Sequence, residues 1–393
     1  MPELPRLQPA DLAEITAIRR QLHQHPEIGM DTAATANLVE AKLREWGADR
    51  IERFTEHGLA AEIRGNRPGV MIGLRADMDA LPVPDRSGAE WRSCECGRNH
   101  ACGHDGHTAG LLAVARWLTQ NRDFPGSVVL IFQPGEEGFS GARKMMDAGL
   151  FRTFPVKEVY AWHGAATHPV GTITLYDGAM SASADVFTVS VHGRGGHGAR
   201  PNISTDAIVA ASELVCAFQT IVSRNMDPMR PGVLSVCSIH GGNAGAPTVI
   251  PSDVEVIGTV RAMHPADRDM IERRMNEVCE GVARLSGVKI RLDYDRRYPV
   301  LINSHEQYEA LAPKYRELLG ADKVDLVTPG NMGGEDFAFM LEEVPGLYIR
   351  IGLADDKHQA PLHNEAFDFN DRALPVAAGL MIFTALDRLQ ALS

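Results

Sequence analysis

The chain has few cysteines and no excess of basic residues, and these two shortages exclude several classes of protein. Its 393 residues include only six cysteines, which is too sparse for a disulfide scaffold and favours a reducing cytoplasm. Lysine and arginine total 39 against 51 acidic residues, which gives a formal charge of −12. Nucleic-acid phosphates repel such a chain and anionic membranes select basic faces, so we predict neither partner.

Long apolar runs are also missing. Because no window offers about 18 uninterrupted apolar residues, we predict no membrane-spanning helix. Residues 1–6 show no basic start followed by an apolar stretch, and we therefore expect no secretory signal. Hydrophobic residues still make up 44% of the chain, as in a globular protein. The length favours roughly two or three domains.

Short apolar segments alternate with segments of helical spacing, which predicts the α/β class. Residues 69–74 and 127–132 are examples of the apolar segments. Such alternation is typical of a largely parallel sheet with helices on both faces. After about residue 181 the pattern becomes strand, helix, strand, strand, helix, strand, the split βαβ order. We therefore predict a discontinuous catalytic domain over 1–181 and 297–393, interrupted by an inserted α+β domain over 182–296.

Metal-binding side chains cluster after several of the predicted strands, where ligand groups gather in open parallel sheets. The most specific cluster is residues 102–107, where a thiol, two imidazoles and a carboxylate lie within a short glycine-containing run. Such a run is typical of a metal site. A buried cysteine beside solvated histidines is one alternative, and a zinc knuckle that adds Cys94 and Cys96 is another. The single residue between those two cysteines disfavours the knuckle.

Glu136 and Glu137 follow an apolar strand directly and stand between two glycines. Because adjacent residues on a tight turn point in different directions, one carboxylate can bind a metal while the other acts as a base. His163 and His363 each come after a predicted strand. A histidine in such a place is more often a half-buried, hydrogen-bonded residue than a ligand, so both interpretations stay open.

Residues 193–198 formally match the dinucleotide fingerprint G-x-G-x-x-G. The next predicted helix begins several residues later, and no following strand ends in an acid at the expected distance. We therefore favour a loop that presents His197 to a ligand. A nucleotide-dependent enzyme remains an alternative.

In this order the motifs resemble those of the hippurate hydrolase and indole-acetyl-amino-acid hydrolase group, within the aminoacylase and carboxypeptidase family of dinuclear metalloenzymes. The likeness runs over nearly the whole chain and is carried by four segments, Arg19–Glu27, Ala101–His107, Gly333–Phe337 and Leu362–His363. It implies a zinc-peptidase-like domain with an inserted ferredoxin-like lid, and a homodimer or homotetramer.

The resemblance implies metal-dependent hydrolysis of the amide bond of N-acyl amino acids, hippurate-like or related acyl and aryl conjugates. A small-molecule substrate of this class is thus the expected partner. Two alternatives stay open. One is hydrolysis of N-acetyl amino acids or dipeptides at the same site, and the other is a catalytically silent binding protein.

The resemblance also implies roles for individual residues. Two divalent ions, chosen among zinc, manganese, cobalt and nickel, are expected on Cys102, His104, Glu137, His163 and His363. Glu136 is expected to be the catalytic carboxylate, Asp79 an acid that orients a ligand, and His197 the residue that reaches the substrate carbonyl. The expected substrate-binding residues are Arg261, Asn243 and Thr248. Two positions depart from the family pattern, since Thr248 replaces the usual asparagine and Gly334 replaces the usual serine.

Overall fold

The computed structural model describes residues 3–393, which divide into two compact units. The first unit comprises the described residues up to Met180 together with Ile302–Pro329 and Asp336–Ser393. The second comprises Ser181–Leu301 and Gly330–Glu335. Each unit has a hydrophobic core of its own, so the second unit is an insertion in the sequence of the first.

Ten α-helices and sixteen strands form within residues 3–393. The helices are α1 (Pro9–Gln24), α2 (Ala33–Glu45), α3 (His104–Gln120), α4 (Gly141–Asp147), α5 (Leu150–Thr153), α6 (Ala207–Asn225), α7 (Pro265–Ser286), α8 (His305–Leu319), α9 (Ala338–Glu343) and α10 (Leu374–Leu392). The strands are β1 (Arg50–Arg53), β2 (Leu59–Arg64), β3 (Arg67–Asp77), β4 (Pro125–Gln133), β5 (Glu158–Pro169), β6 (Ile173–Thr174), β7 (Ala179–Ser181), β8 (Ala184–His192), β9 (Gly196–His197), β10 (Gly232–Gly241), β11 (Val249–Ile250), β12 (Asp253–Ala262), β13 (Lys289–Tyr298), β14 (Leu301–Ile302), β15 (Val324–Asp325) and β16 (Gly346–Ala354).

The first unit is built on a sheet of order β1-β2-β4-β3-β5-β16-β6-β15. Its central strands β4, β3, β5 and β16 are mutually parallel, whereas β1, β2 and β6 pair antiparallel at the flanks. Every residue of β4 is buried, as expected for a strand covered on both faces. The predicted α/β class with a mostly parallel sheet is confirmed. The loops after β3 and β4 consequently leave the sheet at the same edge.

Strand β5 is longer than the strand that the sequence predicted over 156–162. It continues to Pro169 because β16 pairs with it beyond the predicted end, with Arg350 opposite His163. The expectation that His163 follows a strand was therefore wrong, since this residue lies inside one.

The second unit contains an antiparallel sheet of order β10-β12-β8-β13 with helices α6 and α7. Its elements follow the split βαβ order along the chain. The Asp206 carboxylate caps α6 by accepting hydrogen bonds from the N–H groups of Ile208 and Val209. The Ala182 N–H donates to carbonyl groups within Gly330–Glu335, which explains why that segment belongs to this unit. A lid and dimerisation role for the unit stays a prediction.

Two helical segments, α6 and Asp371–Leu392, are long and apolar enough to cross a membrane by length and composition alone. In Asp371–Leu392, 67% of the most apolar stretch is buried inside the protein, as in the core helix of a globular domain. The buried side chains of α6 recur at helical spacing and belong to the core of the second unit. Each helix therefore packs against protein through an apolar face.

Candidate metal centre

The five expected metal ligands converge at the edge of the large sheet. Cys102 Sγ lies 3.4 Å from His163 Nε2, and His363 Nε2 lies 3.2 Å from Glu137 Oε1. Two sets of potential ligand atoms, each contained within 4.8 Å, share the thiol of Cys102. One set adds His104 and His163, and the other adds Glu137 and His363. Two such sets side by side would suit a pair of divalent cations.

Unusual backbone conformations hold the ligands in place. Gly103 stands between Cys102 and His104 with φ of 83°, at the N-terminus of α3. His363 has φ of 65°, a conformation that is uncommon for a residue with a Cβ atom. The His363 N–H donates to the Ala101 carbonyl at 2.8 Å. This bond ties the strained residue to the segment that carries Cys102, and such strain is common at functional sites.

Asp79 organises the loop that carries the two glutamates. Its Oδ1 accepts the N–H of Glu136 at 2.9 Å, and its Oδ2 accepts the N–H of Glu137 at 3.1 Å. Glu136 is 7% exposed, and its Oε1 lies 3.4 Å from the N–H of Asp336. A carboxylate oxygen of Glu136 also lies within 4.8 Å of ligand atoms on His104 and Glu137. It can therefore act through one water molecule on a group bound there.

Carboxylates surround the buried His104. Neither ring nitrogen of the buried His104 forms a hydrogen bond within residues 3–393, and Asp79 Oδ1 and Asp77 Oδ2 lie 3.6 Å and 3.8 Å away. Burial opposes the charged imidazolium, but Asp77 and Asp79 outweigh it and raise the pKa of His104 to about 10. Burial and the Glu137 carboxylate raise the pKa of the Cys102 thiol well above its usual range. The surroundings that raise the pKa values of His104 and Cys102 by stabilising a bound proton also stabilise a bound metal cation.

The donor chemistry fits divalent transition ions. Burial lowers the pKa of His163, and its Nδ1 donates to the Gly164 carbonyl at 2.9 Å, which leaves the lone pair of the ring on Nε2, facing the Cys102 thiol. Burial opposes ionisation of Glu137, but His363 and His104 outweigh it and lower the pKa of the carboxyl group. A set of one thiol, imidazoles and a carboxylate suits zinc, manganese, cobalt or nickel better than magnesium or calcium.

Asp77 and His107, neither of which was among the expected ligands, lie in the same cluster, although His107 is the second imidazole of the predicted 102–107 run. Together with His104 they form a third set of potential ligand atoms within 4.8 Å. Two spacings signalled this proximity. His107 comes three residues after His104 and therefore lies on the same face of α3. Asp77 comes two residues before Asp79 at the end of β3, where alternate side chains of an extended chain share a face.

The structure does not favour the zinc-knuckle alternative. Cys94 and Cys96 are exposed, whereas Cys102 is buried beside His163. The Cys94 N–H donates to the carbonyl of Gln24, in a loop outside the cluster described above.

The expected substrate-contacting residues all lie in the second unit, but they fall into two places. His197 pairs with Val249 across β9 and β11, and the Gly198 N–H donates to the Thr248 carbonyl at 2.7 Å. The carboxamide of Asn243 accepts the N–H of Gly245 in the preceding loop. Arg261 lies near the opposite end of β12 and donates to the carbonyl of Val260. The structure thus brings His197 close to Thr248 but leaves Arg261 apart from both.

The glycine-rich run 193–198 does not form a phosphate-binding turn. It contains strand β9, which pairs with β11, and helix α6 begins only at Ala207. A dinucleotide site needs the strand, glycine turn and helix to follow one another directly. The nucleotide alternative is therefore not supported by the local structure.

Comparisons with known proteins agree with the geometry. The model of the family "Peptidase family M20/M25/M40" matches residues 73–386. Hippurate hydrolase of Campylobacter jejuni is 36% identical over 390 residues, which cover 99% of each chain. N-acetyl-L-cysteine deacetylase of Bacillus subtilis is 34% identical over 96% of this chain and 88% of the relative. A Bacillus subtilis structure described as a dinuclear metal-binding peptidase superposes with a TM-score of 0.84 at 29% identity, covering 98% of this chain and 99% of the other.

Asp79→Asn should loosen the glutamate loop, since the amide offers only one oxygen where the carboxylate accepts two hydrogen bonds. A hydrogen bond to a charged group contributes about 1.5–3 kcal/mol. We expect the amide hydrogens of residues 134–141 to exchange about 10- to 100-fold faster, measured by mass spectrometry. The matched control is Asp325→Asn, whose carboxylate also accepts two backbone N–H groups, and which should leave this loop unchanged. Unaltered exchange in Asp79→Asn would show that the carboxylate does not hold the loop.

Proposed function

Because the chain belongs to peptidase family M20/M25/M40, we propose that it hydrolyses the amide bond of N-acyl amino acids to a carboxylic acid and an amino acid. Members of this family are metal-dependent hydrolases with two divalent ions, and one structural relative is described as dinuclear. The observation that carries the proposal is the Cys102 thiol shared by two ligand sets, with the Glu136 carboxylate beside them. A catalytically silent binding protein would not need both features.

In this proposal the two ions are held by Cys102, His104, Glu137, His163 and His363. When bound, they supply a water with its pKa lowered toward about 7 and polarise the amide carbonyl. The Glu136 carboxylate accepts the proton of the attacking water and passes it to the leaving amine nitrogen. Asp79 keeps that carboxylate in place through the loop backbone.

The second unit contributes substrate contacts in the same proposal. The exposed ring of His197 donates to the developing oxyanion, a contribution of about 3 kcal/mol in comparable sites. Asn243 and Thr248, which lie in the loop beside it, contact the substrate. Arg261 is proposed to meet a substrate carboxylate. The choice among zinc, manganese, cobalt and nickel, and the cytoplasmic location, stay predictions.

Glu136→Gln tests the assignment of the base, because glutamine keeps the shape of glutamate but cannot accept the proton. We expect two metal ions per chain, measured by elemental analysis, and a kcat about 10²- to 10⁴-fold lower. Substrates for this test come from a screen of N-acyl amino acids with each divalent metal added back to chelated enzyme. Glu137→Gln is the matched comparison and should lose metal. A near-normal kcat in Glu136→Gln would remove this residue from the mechanism.

An apolar surface beside the glutamate loop favours an aryl or other bulky acyl group over acetyl. Phe139 is 44% exposed although it is a large aromatic residue. It packs closely on Gly29, where an added Cβ atom would lie 2.6 Å from the ring. The Met30 sulfur lies against Gly135 of the same loop. Phe139 comes three residues after Glu136 in the chain, and Met30 contacts the same loop at Gly135.

Phe139→Ala should therefore discriminate between acyl groups. Because apolar contacts of this size are worth about 1–3 kcal/mol, kcat/KM for an N-benzoyl amino acid should fall about 10-fold or more. The value for the matching N-acetyl amino acid should stay within about 2-fold. Leu285→Ala removes another exposed apolar side chain, in the second unit, and serves as the control. Equal losses for both substrates would argue that Phe139 does not contact the acyl group.

We propose a homodimer, or a homotetramer built from such dimers, that pairs through β10. The edge strand β10 carries no acidic residue, lysine or arginine, and Ile239 on it is 53% exposed. The opposite edge strand β13 carries six charged side chains of both signs, which protect an edge against pairing. The unprotected edge is therefore the one available to a second copy.

Ile239→Lys should convert the oligomer to a monomer, because it introduces a charge on the pairing edge. Light scattering after size-exclusion chromatography measures the mass at micromolar protein concentration. Leu285→Lys, at a residue that is 77% exposed on α7, should leave the mass unchanged. A monomeric wild-type chain, or an unchanged oligomer in Ile239→Lys, would contradict the proposed interface.

A further inference from the structure

His107 is a fully buried imidazole that the proposed mechanism does not use. Its ring centroid lies 4.5 Å from that of His163, and it shares a possible metal-binding set with Asp77 and His104. Two roles are therefore conceivable from proximity alone. His107 is either an additional metal ligand or a residue that positions a ligand.

The hydrogen bonds of His107 distinguish these roles. The Gly164 N–H donates to His107 Nε2 at 3.0 Å. A backbone amide can only donate, so this network assigns the lone pair to Nε2 and the hydrogen to Nδ1. His107 Nδ1 then donates to Asp77 Oδ1 at 2.6 Å. Both ring nitrogens are engaged, and the imidazole has no lone pair left for a metal.

The same glycine also orients His163. The Gly164 carbonyl accepts a hydrogen bond from His163 Nδ1 at 2.9 Å. A carbonyl can only accept, so Nδ1 carries the hydrogen and Nε2 keeps its lone pair. That Nε2 is the atom 3.4 Å from Cys102 Sγ. The N–H and carbonyl of Gly164 therefore connect His107 to the ligand nitrogen of His163.

Asp77 is itself fixed by a buried ion-pair network. Arg75 donates to Asp77 Oδ2 at 2.7 Å and to Asp336 Oδ1 at 2.9 Å, and all three side chains are fully buried. The N–H of Asp336 lies 3.4 Å from Glu136 Oε1. The bonds thus form a continuous path from His163 to the Glu136 carboxylate. Asp336 belongs to the Gly333–Phe337 motif, to which the proposed mechanism assigns no role. These contacts indicate a structural role for Asp336, between Arg75 and Glu136.

We infer that His107 is a positioning residue that, held by Asp77, fixes the Gly164 backbone and through it aims His163 Nε2 at the metal centre. The inference rests on the proposed role of His163 as a ligand. Metal-binding histidines usually donate their other nitrogen to a carbonyl or carboxylate, and loss of such support typically costs about 10- to 100-fold in metal affinity. His107 supports His163 indirectly, because the Gly164 backbone lies between the two rings.

His107→Ala and His107→Gln test this role through metal binding instead of activity. For His107→Ala we expect two zinc ions per chain and an unchanged number of imidazole ligands by X-ray absorption. The affinity for one ion should fall about 10- to 100-fold in a chelator competition, and the visible spectrum of the cobalt form should change. His107→Gln should recover most of the affinity, because its amide can both accept from Gly164 and donate to Asp77. His57→Gln, in the same unit but outside the cluster, is the control.

The outcomes separate the inference from the proposed function. Loss of one zinc or of one imidazole ligand in His107→Ala would make His107 a ligand and overturn the inference. Wild-type affinity and an unchanged cobalt spectrum in that variant would equally overturn it. A wild-type chain that fails to bind two zinc ions would instead contradict the proposed function.

A second set of three variants tests the Gly164 backbone directly and does not require His107→Ala to fold. An added Cβ atom at Gly164 would lie 2.5 Å from Leu353 Cδ1 and 3.6 Å from His107 Nε2. Gly164→Ala should therefore displace the backbone and weaken zinc binding about 10-fold or more. Adding Leu353→Ala removes the clash and should restore the affinity, while Leu353→Ala alone should bind zinc as the wild type does. A double variant as weak as Gly164→Ala would overturn the inference.

Discussion

Buried negative charge at the carboxyl edge of the parallel sheet is the constraint on which the rest of the structure depends. Asp77, Asp79 and Glu136 are each less than a tenth exposed, and Glu137 lies beside them. Desolvated carboxylates at this spacing repel one another, so they require positive charge nearby. Arg75 supplies part of it through Asp77. Protonated His104 or bound cations supply the remainder, which makes metal binding an integral part of local stability.

The parallel order of the sheet produces this concentration of charge. Strands β3 and β4 run side by side, so the loops that follow them carry Asp79 and the two glutamates to one edge. Asp79 then joins the loops through its bonds to Glu136 and Glu137. The second unit interrupts the first in sequence, but all five expected ligands belong to the first unit.

The parts of the fold and site that could be predicted from sequence are those with a local signal. The α/β class follows from apolar segments such as β4, and the Cys102–His107 run marks the cluster through its composition alone. The position of His163 inside β5 could not be predicted, because it depends on pairing with β16 almost two hundred residues later. The separation of Arg261 from His197 likewise depends on which end of β12 each residue adjoins.

The partnership of His107 with Asp77 had an even weaker signal. Helical spacing places His107 near His104, but its role depends on the N–H and carbonyl of Gly164, which carries no side chain to suggest it. Chemistry carried by side chains in short motifs can therefore be predicted, whereas chemistry carried by a backbone group from a distant strand cannot.

The most direct test of the account is anomalous X-ray diffraction from crystals of the chain grown with zinc. We expect two anomalous peaks about 3.5–4 Å apart, both within the cluster that contains Cys102, and no peak bonded to His107. A single peak held by Asp77, His104 and His107, or peaks remote from Cys102, would contradict it.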